Sequence, residues 1–453
     1  MITEQHEYER PKGFMDWLRE SVMVKLTFIA FLILVLLIPS SLVQNLVSER
    51  EATQNDTLKD VSNQWSGSQL IQGPVLIIPY HKHEKVVNTD GKETQKETIS
   101  NLYILPNDLH ISAKLAAQKL HRGIFEVPVY NSKVEITGNF TKVDLAGVSL
   151  TSADIIPEKA KLVFSLSDLK GLKNNPVINI EGQNPNAEPA FNNDAGFDSG
   201  LQARVDMTNL VNKDFKFSYT LDIKGSEAIS FTHLGKTTTV TATGDWGTPS
   251  FDGRYLPDER RISDSSFSAS WRMLYYNRPY PQQWLDNDTL LKDIKKNEAS
   301  TFGVKLRLPV DQYQKTTRTS KYAILIIFLT FISLFLTEVI RTQKVHVFNY
   351  VLIGAAMIVY YTLLLSFTEQ IGFNGAYILA SVATIALVTA FIWSLIKNGP
   401  AAMLLSLILI IFYAFIFIII QLEDLALLVG SIALFLIVGA LMYFSRKINW
   451  DRN

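Results

Sequence analysis

Cysteine is absent from this chain of 453 residues, which excludes disulfides, thiolate metal ligands and a cysteine nucleophile. Neither sign of charge is in excess, because 43 basic and 43 acidic residues give a formal net charge of zero. A nucleic-acid-binding protein would show a basic surface, so this balance argues against that class. The sequence also lacks G-x-S-x-G, H-E-x-x-H, Walker-type and G-x-G-x-x-G motifs, which disfavours hydrolase chemistry.

Long apolar runs are present, and they are unevenly distributed. One runs from Val22 to Ile38, and the others lie between Tyr322 and Phe444, with a long and mostly polar segment between them. A bilayer core about 30 Å thick needs roughly 20 apolar residues per helix. The pattern therefore predicts a large polar domain held by membrane-spanning helices.

The first apolar run is predicted to be an uncleaved anchor at residues 22–44. The segment 1–21 before it is long and contains several acids, whereas a signal peptide has a short basic n-region. The run ends at Ile38-Pro39-Ser40-Ser41, a poor match to an A-x-A-like cleavage site. In either case the domain that follows is expected to be exported.

Five further spans can be drawn in a bundle at residues 321–445. They cover residues 322–340, 348–366, 375–396, 401–420 and 425–444. With the anchor they give six transmembrane helices, one before and five after the polar domain. An even number places both termini on the same side of the membrane.

The charges of the short loops set the orientation of these spans. Lys and Arg occur on one side only, at Arg10, Lys12, Arg19, Arg341, Lys344, Lys397, Arg446, Lys447 and Arg452. The opposite loops, 367–374 and 421–424, contain neither. The positive-inside rule then places segment 1–21 and tail 446–453 in the cytoplasm of a bacterium. The multi-pass chain is expected in the inner membrane, with the domain 45–320 in the periplasm.

The exported domain is predicted to be predominantly β. Residues 48–65 suit a helical stalk, and Val75–Tyr80 reads as a buried strand. Asp90-Gly91 indicates a hairpin between Lys82–Val87 and Thr98–Leu105. Period-2 alternation predicts further strands at Gly123–Val129, Val134–Phe140, Ala160–Leu166, Phe215–Ile223, Thr237–Thr243 and Phe267–Tyr276. A helix is expected near Trp284–Asn297. These elements fit a sandwich or two smaller β-units.

Ionisable residues at the ends of the spans form one candidate functional site, the seam between bundle and domain. Glu369, Glu423 and Asp424 fall at outer ends, with Arg318 nearby, and Glu338 falls in the last turn of the second span. Such residues at membrane depth are functional candidates for a cation, a proton or a substrate. The alternative is that they are interfacial acids, placed where Lys and Arg are disfavoured.

A second candidate is an aromatic and basic contact surface containing Trp271, Arg272, Arg278 and Trp284. It could stack on a sugar or rest on lipid headgroups, or it could be a core strand whose arginines reach the surface. His81-Lys82-His83-Glu84 offers two metal ligands on one strand face but lacks the further ligands that a site needs. No cofactor is predicted.

Short motifs along the whole chain resemble those of one protein family. They are Gly73-Pro74-Val75-Leu76 with Pro79-Tyr80, Gly123-Ile124-Phe125 with Pro128-Val129-Tyr130, Gly225-Ser226, Trp246-Gly247-Thr248-Pro249-Ser250-Phe251, Asn277-Arg278, Pro281-Gln282-Gln283-Trp284, Phe302-Gly303-Val304, Pro309-Val310-Asp311-Gln312-Tyr313, Leu363–Glu369 and Gln421–Leu428. In their order and number these pieces resemble the CreD inner membrane proteins, also described as cell envelope integrity proteins. The chain departs from that pattern at His346-Val347, where the family has His-Pro, and at Lys170, where it has Arg.

The resemblance implies a role in envelope integrity and stress tolerance, and in some members a place downstream of a two-component sensor. It supplies no catalytic residue. The first hypothesis is therefore a non-enzymatic membrane protein whose β-domain meets a lipid, cell-wall or protein partner, besides the bilayer itself. The alternative is a small transporter or lipid-handling protein that uses the five-helix bundle. An envelope hydrolase is a third and weaker option.

Overall fold

The computed structural model describes residues 22–87, 93–190, 197, 200–286, 289–308, 312–341, 345–396, 399–422 and 425–445. It divides into two compact units. One, the helical unit, contains residues 1–54 and 310–453, and the other, the β unit, contains residues 55–309. Each unit is described by itself below.

The first helix, α1 (Val22–Trp65), is one continuous element of 44 residues. It contains both the predicted anchor and the predicted stalk, and Pro39 lies inside it. In the anchor portion Ile29, Leu32, Leu36 and Val43 are buried at helical spacing, while Phe31 and Leu34 are exposed. One apolar face therefore packs in the helical unit, and the opposite face, also apolar, is exposed.

The rest of the helical unit consists of five further helices within the described residues. They are α3 (Gln312–Lys321), α4 (Ala323–Arg341), α5 (Val347–Ile396), α6 (Gly399–Gln421) and α7 (Ala426–Ser445). All five predicted apolar segments are thus helical. Gly354 of α5 faces α1, where an added Cβ would collide with the Leu36 side chain.

The 50-residue helix α5 reverses direction at Gly372. This glycine has φ 76° and ψ 161°, outside the helical region. The rings of Tyr360 and Tyr377 lie 6.1 Å apart, whereas 17 residues of straight helix would separate them by about 25 Å. The two halves therefore lie side by side. The sequence placed a loop at 367–374, but the structure makes the reversal with little more than one residue.

Length and composition alone give fewer spans than the six that the sequence predicts. Among the described residues three helices, α1, α5 and α6, are long and apolar enough to cross a membrane. A fourth span results if α3 and α4, which meet at a bend of 40°, are counted together. The described apolar part of α7, Ala426–Ala440, is shorter.

The β unit contains two mixed sheets and a short helix, α2 (Ile294–Ser300). Its strands are β1 (Gln69–Val87), β2 (Glu93–Ile104), β3 (Asp108–Arg122), β4 (Phe125–Phe140), β5 (Lys161–Leu166), β6 (Asn179–Ile180), β7 (Glu188–Ala190), β8 (Gly200–Arg204), β9 (Phe215–Ser226), β10 (Ala228–Thr232), β11 (Thr237–Gly244), β12 (Pro249–Gly253), β13 (Glu259–Ile262), β14 (Phe267–Leu274), β15 (Gln283–Leu285) and β16 (Thr301–Leu306). Within the described residues one sheet has the order β12-β16-β10-β1-β5-β8-β7, with β2 and β15 attached through β1, and the other has the order β13-β14-β11-β3-β4-β9-β6.

The two sheets share a single hydrophobic core, which favours the sandwich over two smaller units. Strand β9 alternates between buried and more exposed positions, as a half-buried strand should. Aromatic pairs cross from sheet to sheet, with ring centroids 4.7 Å apart for Phe164 and Tyr219 and 5.5 Å apart for Trp271 and Phe302. The inner faces of both sheets thus pack together.

Local predictions in the β unit had mixed outcomes. Strands β1 and β2 pair antiparallel from Leu76 with Ile104 to Val87 with Glu93, as the hairpin prediction requires, although Asp90-Gly91 lies outside the described residues. The strand predicted from Gly123 begins instead at Phe125, because Gly123, with φ 63°, belongs to the turn after the long strand β3. The helix predicted near Trp284–Asn297 is wrong in its first part, which is strand β15.

Candidate functional site

The predicted acid Glu338 lies in a buried polar cluster that we call the inner cluster. Its carboxylate pairs with Lys25 of α1 and accepts hydrogen bonds from Val345 N at 3.1 Å and Tyr350 Oη at 3.1 Å. Lys25 Nζ also donates to Val345 O at 2.8 Å. The charges are thus paired and the polar atoms have partners, as burial requires.

The predicted acid Glu369 lies in a second cluster, the outer cluster. Tyr313 Oη donates to Glu369 Oε1 at 3.1 Å, and Arg50 Nε of α1 lies 3.8 Å from the same oxygen. Arg318 is half-buried and forms no ion pair with any described acid. The arginine beside Glu369 is therefore Arg50 rather than the predicted Arg318. The two other predicted outer acids, Glu423 and Asp424, lie outside the described residues.

The structure does not bring Glu338 and Glu369 together. Tyr350, which contacts Glu338, precedes Glu369 by 19 residues on the helical first half of α5, a rise of about 28 Å. On α1, Lys25 of the inner cluster and Arg50 of the outer cluster are 25 residues apart, a rise of about 37 Å. The two clusters therefore mark opposite ends of the helical unit.

Sequence reasoning missed both basic partners in these clusters. Lys25 is the single charged residue within the first apolar run, and an ionisable residue in such a run is a signal of a buried partner. The sequence could therefore have indicated that Lys25 has a buried partner. Arg50 carried no such signal, because it lies among other charged residues just after the run.

Within the β unit, the predicted contact surface contains two buried tryptophans. Trp271 is 1% exposed and donates from Nε1 to Tyr255 O at 3.1 Å. Trp284 is 9% exposed and stacks on Tyr103, with ring centroids 5.3 Å apart and 5° between the planes. Neither indole can stack on an external sugar or lipid headgroup. Of the four residues only Arg272 is exposed.

Arg278 is buried rather than extended toward the surface. Its guanidinium donates to Tyr280 O at 3.0 Å, to Leu234 O at 2.8 Å and to Gln282 Oε1 at 2.9 Å. It also lies 4.9 Å from the ring centroid of Tyr275. Burial lowers the pKa of Arg278 to about 10, so the side chain is charged at neutral pH. Its role here is to hold the segment after β14 in place.

Asp286 is the centre of a polar cluster that the sequence did not predict. Tyr80 Oη donates to its Oδ1 at 2.6 Å, Ser100 donates to the same oxygen, and Lys82 Nζ lies 2.9 Å from Oδ2. Burial alone would raise the pKa of Asp286, but these hydrogen bonds outweigh it and hold the pKa below its ordinary value. Burial, together with the hydrogen bond to Asp286, raises the pKa of Tyr80 to about 12. The cluster joins β1 and β2 to the chain after β15.

The described residues contain no group of three or more His, Asp or Glu side chains arranged to hold a metal ion. His81 of the sequence motif lies close to Glu97 across the β1–β2 pair. That pair supplies two ligands at most, and a structural metal site needs more.

A cleft in the β unit has a volume of about 660 Å³. Its lining residues are Leu70, Ala228, Ser230, Asp252, Gly253, Arg254, Ile294, Asn297, Glu298, Thr301, Val304 and Lys305. They come from β1, β10, β12, β16, α2 and the turn after β12. Two acids and two bases therefore surround a floor of small and aliphatic side chains, a lining suited to binding. A smaller cleft of about 330 Å³ lies beside Leu172, Lys173 and Pro189.

Comparison with known proteins identifies the family. A family model described as inner membrane protein CreD matches residues 21–451. The chain belongs to the CreD family. A curated relative, the inner membrane protein CreD of Escherichia coli (strain K12), is 27% identical over 435 residues, which cover 96% of this chain and 94% of the relative. The resemblance seen in the sequence is confirmed, and this CreD family member is an inner membrane protein with apolar helices and a large mixed-sheet domain.

The β unit of this CreD family member is expected to lose stability in acid through His233. This side chain is fully buried, its Nε2–H donates to Leu274 O at 3.1 Å, and burial lowers its pKa to about 4. Between about pH 6.5 and pH 4 the unfolded chain binds a proton that the folded chain does not, so stability falls as the pH falls. Across that whole window the loss amounts to about 3 kcal/mol.

Replacement His233→Gln should flatten this pH dependence, because glutamine does not titrate. The measurement is the denaturant midpoint of the β unit, followed by tryptophan fluorescence from about pH 7 to pH 4.5. His110→Gln, at an exposed position of β3, is the matched control and should keep the wild-type slope. Equal slopes in the wild type and His233→Gln would contradict the prediction.

Proposed function

We propose that this CreD family member is a non-enzymatic, six-span inner membrane protein that supports cell envelope integrity through its β unit on the periplasmic side. The spans are the anchor part of α1, α4, the two halves of α5, α6 and α7. Both termini are then cytoplasmic. The proposal has two parts, the topology and the role of the β unit.

The spacing of the inner and outer clusters supports the topology. They lie about 28 Å apart along α5 and about 37 Å apart along α1, which brackets the thickness of a hydrocarbon core of about 30 Å. Between them α5 from residue 351 to 368 contains no Asp, Glu, Lys, Arg or His. Charged groups at both ends of an apolar stretch of this length suit the two membrane interfaces.

The helix lengths support six spans rather than three or four. Gly372 divides α5 into halves of 25 and 24 residues, each about 36 Å long or more. Helix α7 has 20 residues, about 30 Å. Each half of α5, and α7 as a whole, is long enough to cross the hydrocarbon core once. The continuous helix α5 therefore accounts for two spans.

Alkaline phosphatase fusions are expected to be active after Asn45 and Asn374 and inactive after Lys344 and Asn453. The enzyme folds only outside the cytoplasm, and the proposed topology places the first two positions there. A reporter that is active only in the cytoplasm, fused at the same four positions, serves as the control and should give the reverse pattern. A cytoplasmic signal after Asn374 would exclude the proposed hairpin.

The proposed role of the β unit rests on the composition of its cleft. Asp252, Arg254, Glu298 and Lys305 offer charge–charge contacts around an apolar floor. No histidine, and no hydroxyl paired with a base, is among its described lining residues. This composition suits recognition of a lipid, glycan or protein partner better than acyl-transfer chemistry, which needs a nucleophile beside a base.

The filled core of the helical unit favours this role over the alternative of a small transporter. Buried side chains from α4, α5 and α6 fill the described centre, among them Phe331, Tyr350, Leu364 and Ile416, which are at most 1% exposed. A substrate cavity between helices is usually an open cleft, lined by apolar side chains and a few polar groups. A bundle packed in this way serves better as a membrane support for the β unit.

A photo-crosslinking amino acid at Ile294 is expected to capture a single envelope component in living cells. Ile294 lines the cleft and is 72% exposed. The matched control is the same probe at Ile262, which is 50% exposed on β13 of the other sheet. Capture from Ile294 should be lost in the Arg254→Ala background without a change in the unfolding midpoint. Equal capture from both positions would contradict a role for the cleft.

A further inference from the structure

The hairpin formed by β3 and β4 extends beyond the sheet that contains it. Strand β11 pairs with β3 only as far as Leu115, and β9 ends at Ser226, which is paired with Val129 of β4. Beyond these positions β3 and β4 continue to pair with each other, for about 13 Å past Val129. We call residues 116–128 of this extension the ribbon, and residues 122–125 its tip.

The ribbon is supported by α1 rather than by the core of the sandwich. A small hydrophobic cluster, separate from that core, joins it to the C-terminal part of the helix. The members of this cluster are Leu58, Val61, Trp65, Leu120, Val127 and Val129. A two-stranded ribbon is at best marginally stable by itself in water, so the packing against α1 holds it in a defined position.

The tip of the ribbon points toward the N-terminal part of α1. Ser226 Oγ donates to the carbonyl of Ser66, just after the end of the helix, at 2.8 Å. The next residue, Glu227, accepts from Ser62 Oγ at 3.3 Å and donates its N–H to Pro128 O at 3.0 Å. Ser226 lies opposite the residue after Pro128. Following the chain backward from Ser66 to Ser62 therefore leads along β4 toward the tip.

Both chain connections of the β unit leave it at this same end. One is α1, which passes Glu227 at Ser62 on its way back to residue 55. The other follows β16, whose last residue, Leu306, donates its N–H to Glu227 O at 2.6 Å. Both connections lead to the apolar helices of an inner membrane protein. A lipid bilayer is therefore the partner expected on this side of the β unit.

The tip exposes apolar side chains. Ile124 is 44% exposed, and Phe125 beside it is half-buried. An added Cβ at Gly123, which has φ 63°, would meet no atom within 4 Å. No described part of the protein therefore covers the turn. Apolar side chains at the end of a projecting element suit the boundary between headgroups and acyl chains, where they leave water.

The tip also carries a positive charge. Arg122 is exposed and forms no ion pair with a described acid. Glu126 is the single acid of the ribbon, and its carboxylate lies 2.7 Å from Lys119 Nζ. The hydrogen bond from Lys119 holds the pKa of Glu126 below its ordinary value, so that this acid neutralises Lys119. The charge of Arg122 is left over, and cations next to a membrane are attracted to anionic lipid.

We propose that the hairpin tip docks into the headgroup layer of the bilayer, with Ile124 in its apolar margin and the Arg122 guanidinium on a lipid phosphate. Arginine presents two parallel N–H donors that match the oxygens of a phosphate group. Because the ribbon is packed against α1, this contact gives the β unit a third attachment to the membrane besides its two chain connections. The tip lies apart from the cleft of the β unit.

A fluorescent probe at the tip tests this contact in the full-length protein. The chain has no cysteine, so Ile124→Cys introduces a single labelling site for an environment-sensitive nitrobenzoxadiazole dye. The protein is placed in nanodiscs of phosphatidylethanolamine and phosphatidylglycerol in equal amounts. Lipids spin-labelled near the top of the acyl chain should then quench most of the dye fluorescence, because a nitroxide quenches only at short range.

The control is the same dye at Ile99→Cys. Ile99 is 63% exposed and pairs with His81, which lies 12 residues along β1 from Gln69 at the α1 end, a distance of about 40 Å. This dye should keep its fluorescence. Equal quenching at both positions, or none at Ile124, overturns the proposal. The topology fusions report the side of the membrane and this experiment reports contact with it, so either can fail alone.

The contact with phosphate is tested by Arg122→Ser in the Ile124→Cys background. This replacement should reduce the quenching, whereas Arg272→Ser, at an exposed position of the same sheet, should leave it unchanged. Raising the salt to about 1 M shortens the Debye length from about 8 Å to about 3 Å. High salt should therefore weaken the quenching of the Arg122 protein more than that of Arg122→Ser. Identical quenching and salt response in all three proteins would contradict the proposal.

Discussion

Replacement of Lys25 by methionine is expected to destabilise the helical unit by about 3–5 kcal/mol, because removing one member of a buried ion pair leaves the other charge uncompensated. Glu338 is 8% exposed and its carboxylate has Lys25 as its cationic partner among the described residues. In apolar surroundings that carboxylate cannot recover its hydration. The measurement is the unfolding free energy of the full-length protein in mixed micelles.

The double variant Lys25→Met/Glu338→Gln should recover most of this loss. Glutamine removes the charge and keeps one oxygen to accept from Val345 N, while its amide NH2 can donate to Tyr350 Oη. Arg50→Met is the matched control, because the Arg50 side chain is 48% exposed and 3.8 Å from Glu369, and a pair of this kind contributes at most about 1 kcal/mol. A Lys25→Met protein as stable as the wild type would show that the pair is not coupled.

Replacement of Trp271 by alanine is expected to destabilise the β unit by about 3–5 kcal/mol, the usual cost of emptying the site of a large core aromatic. The indole packs against Phe251 and Phe302, with ring centroids 5.8 Å and 5.5 Å away. Its loss also leaves Tyr255 O without the Nε1–H donor. Denaturant unfolding followed by circular dichroism measures the change.

Arg272→Ala supplies the control for this prediction. Arg272 is the next residue of the same strand but is exposed, so its replacement should change stability by no more than about 0.5 kcal/mol. The pair of variants separates the two interpretations of the aromatic segment. A core strand predicts unequal effects on stability, whereas a contact surface predicts little effect from either and a loss of binding from both.

The alternation of apolar and polar residues along β14 indicates which of the two interpretations is correct. Phe267, Ala269, Trp271 and Met273 occupy every second position and are all buried, whereas Arg272 points the other way. Aromatic and basic composition favours a ligand-binding surface, whereas the period assigns faces and favours the core strand, the alternative that the structure confirms for Trp271. The strand β3 was missed for a different reason: its second half, with Lys114, Gln118 and Lys119, lacks the apolar enrichment of a buried strand.

Local sequence patterns do not identify contact partners that are far apart in the sequence. The helices were predictable because each apolar run is close to the roughly 20 residues that a bilayer core requires. The partner of Glu338 was not, since Lys25 lies 313 residues away and its choice depends on which helix faces pack. Asp286 likewise gains its role from Tyr80 and Ser100, which β1 and β2 bring beside it.

The reversal at Gly372 makes the helical unit sensitive to the length of the chain at that point. Successive residues of an α-helix are rotated by about 100°, and the reversal has almost no loop in which an extra residue could be absorbed. One inserted or deleted residue beside Gly372 would therefore turn the second half of α5 by more than a quarter of a revolution. Tyr377 and Ser381 would then no longer face Tyr360. The family should consequently tolerate changes of sequence around this reversal far better than insertions or deletions.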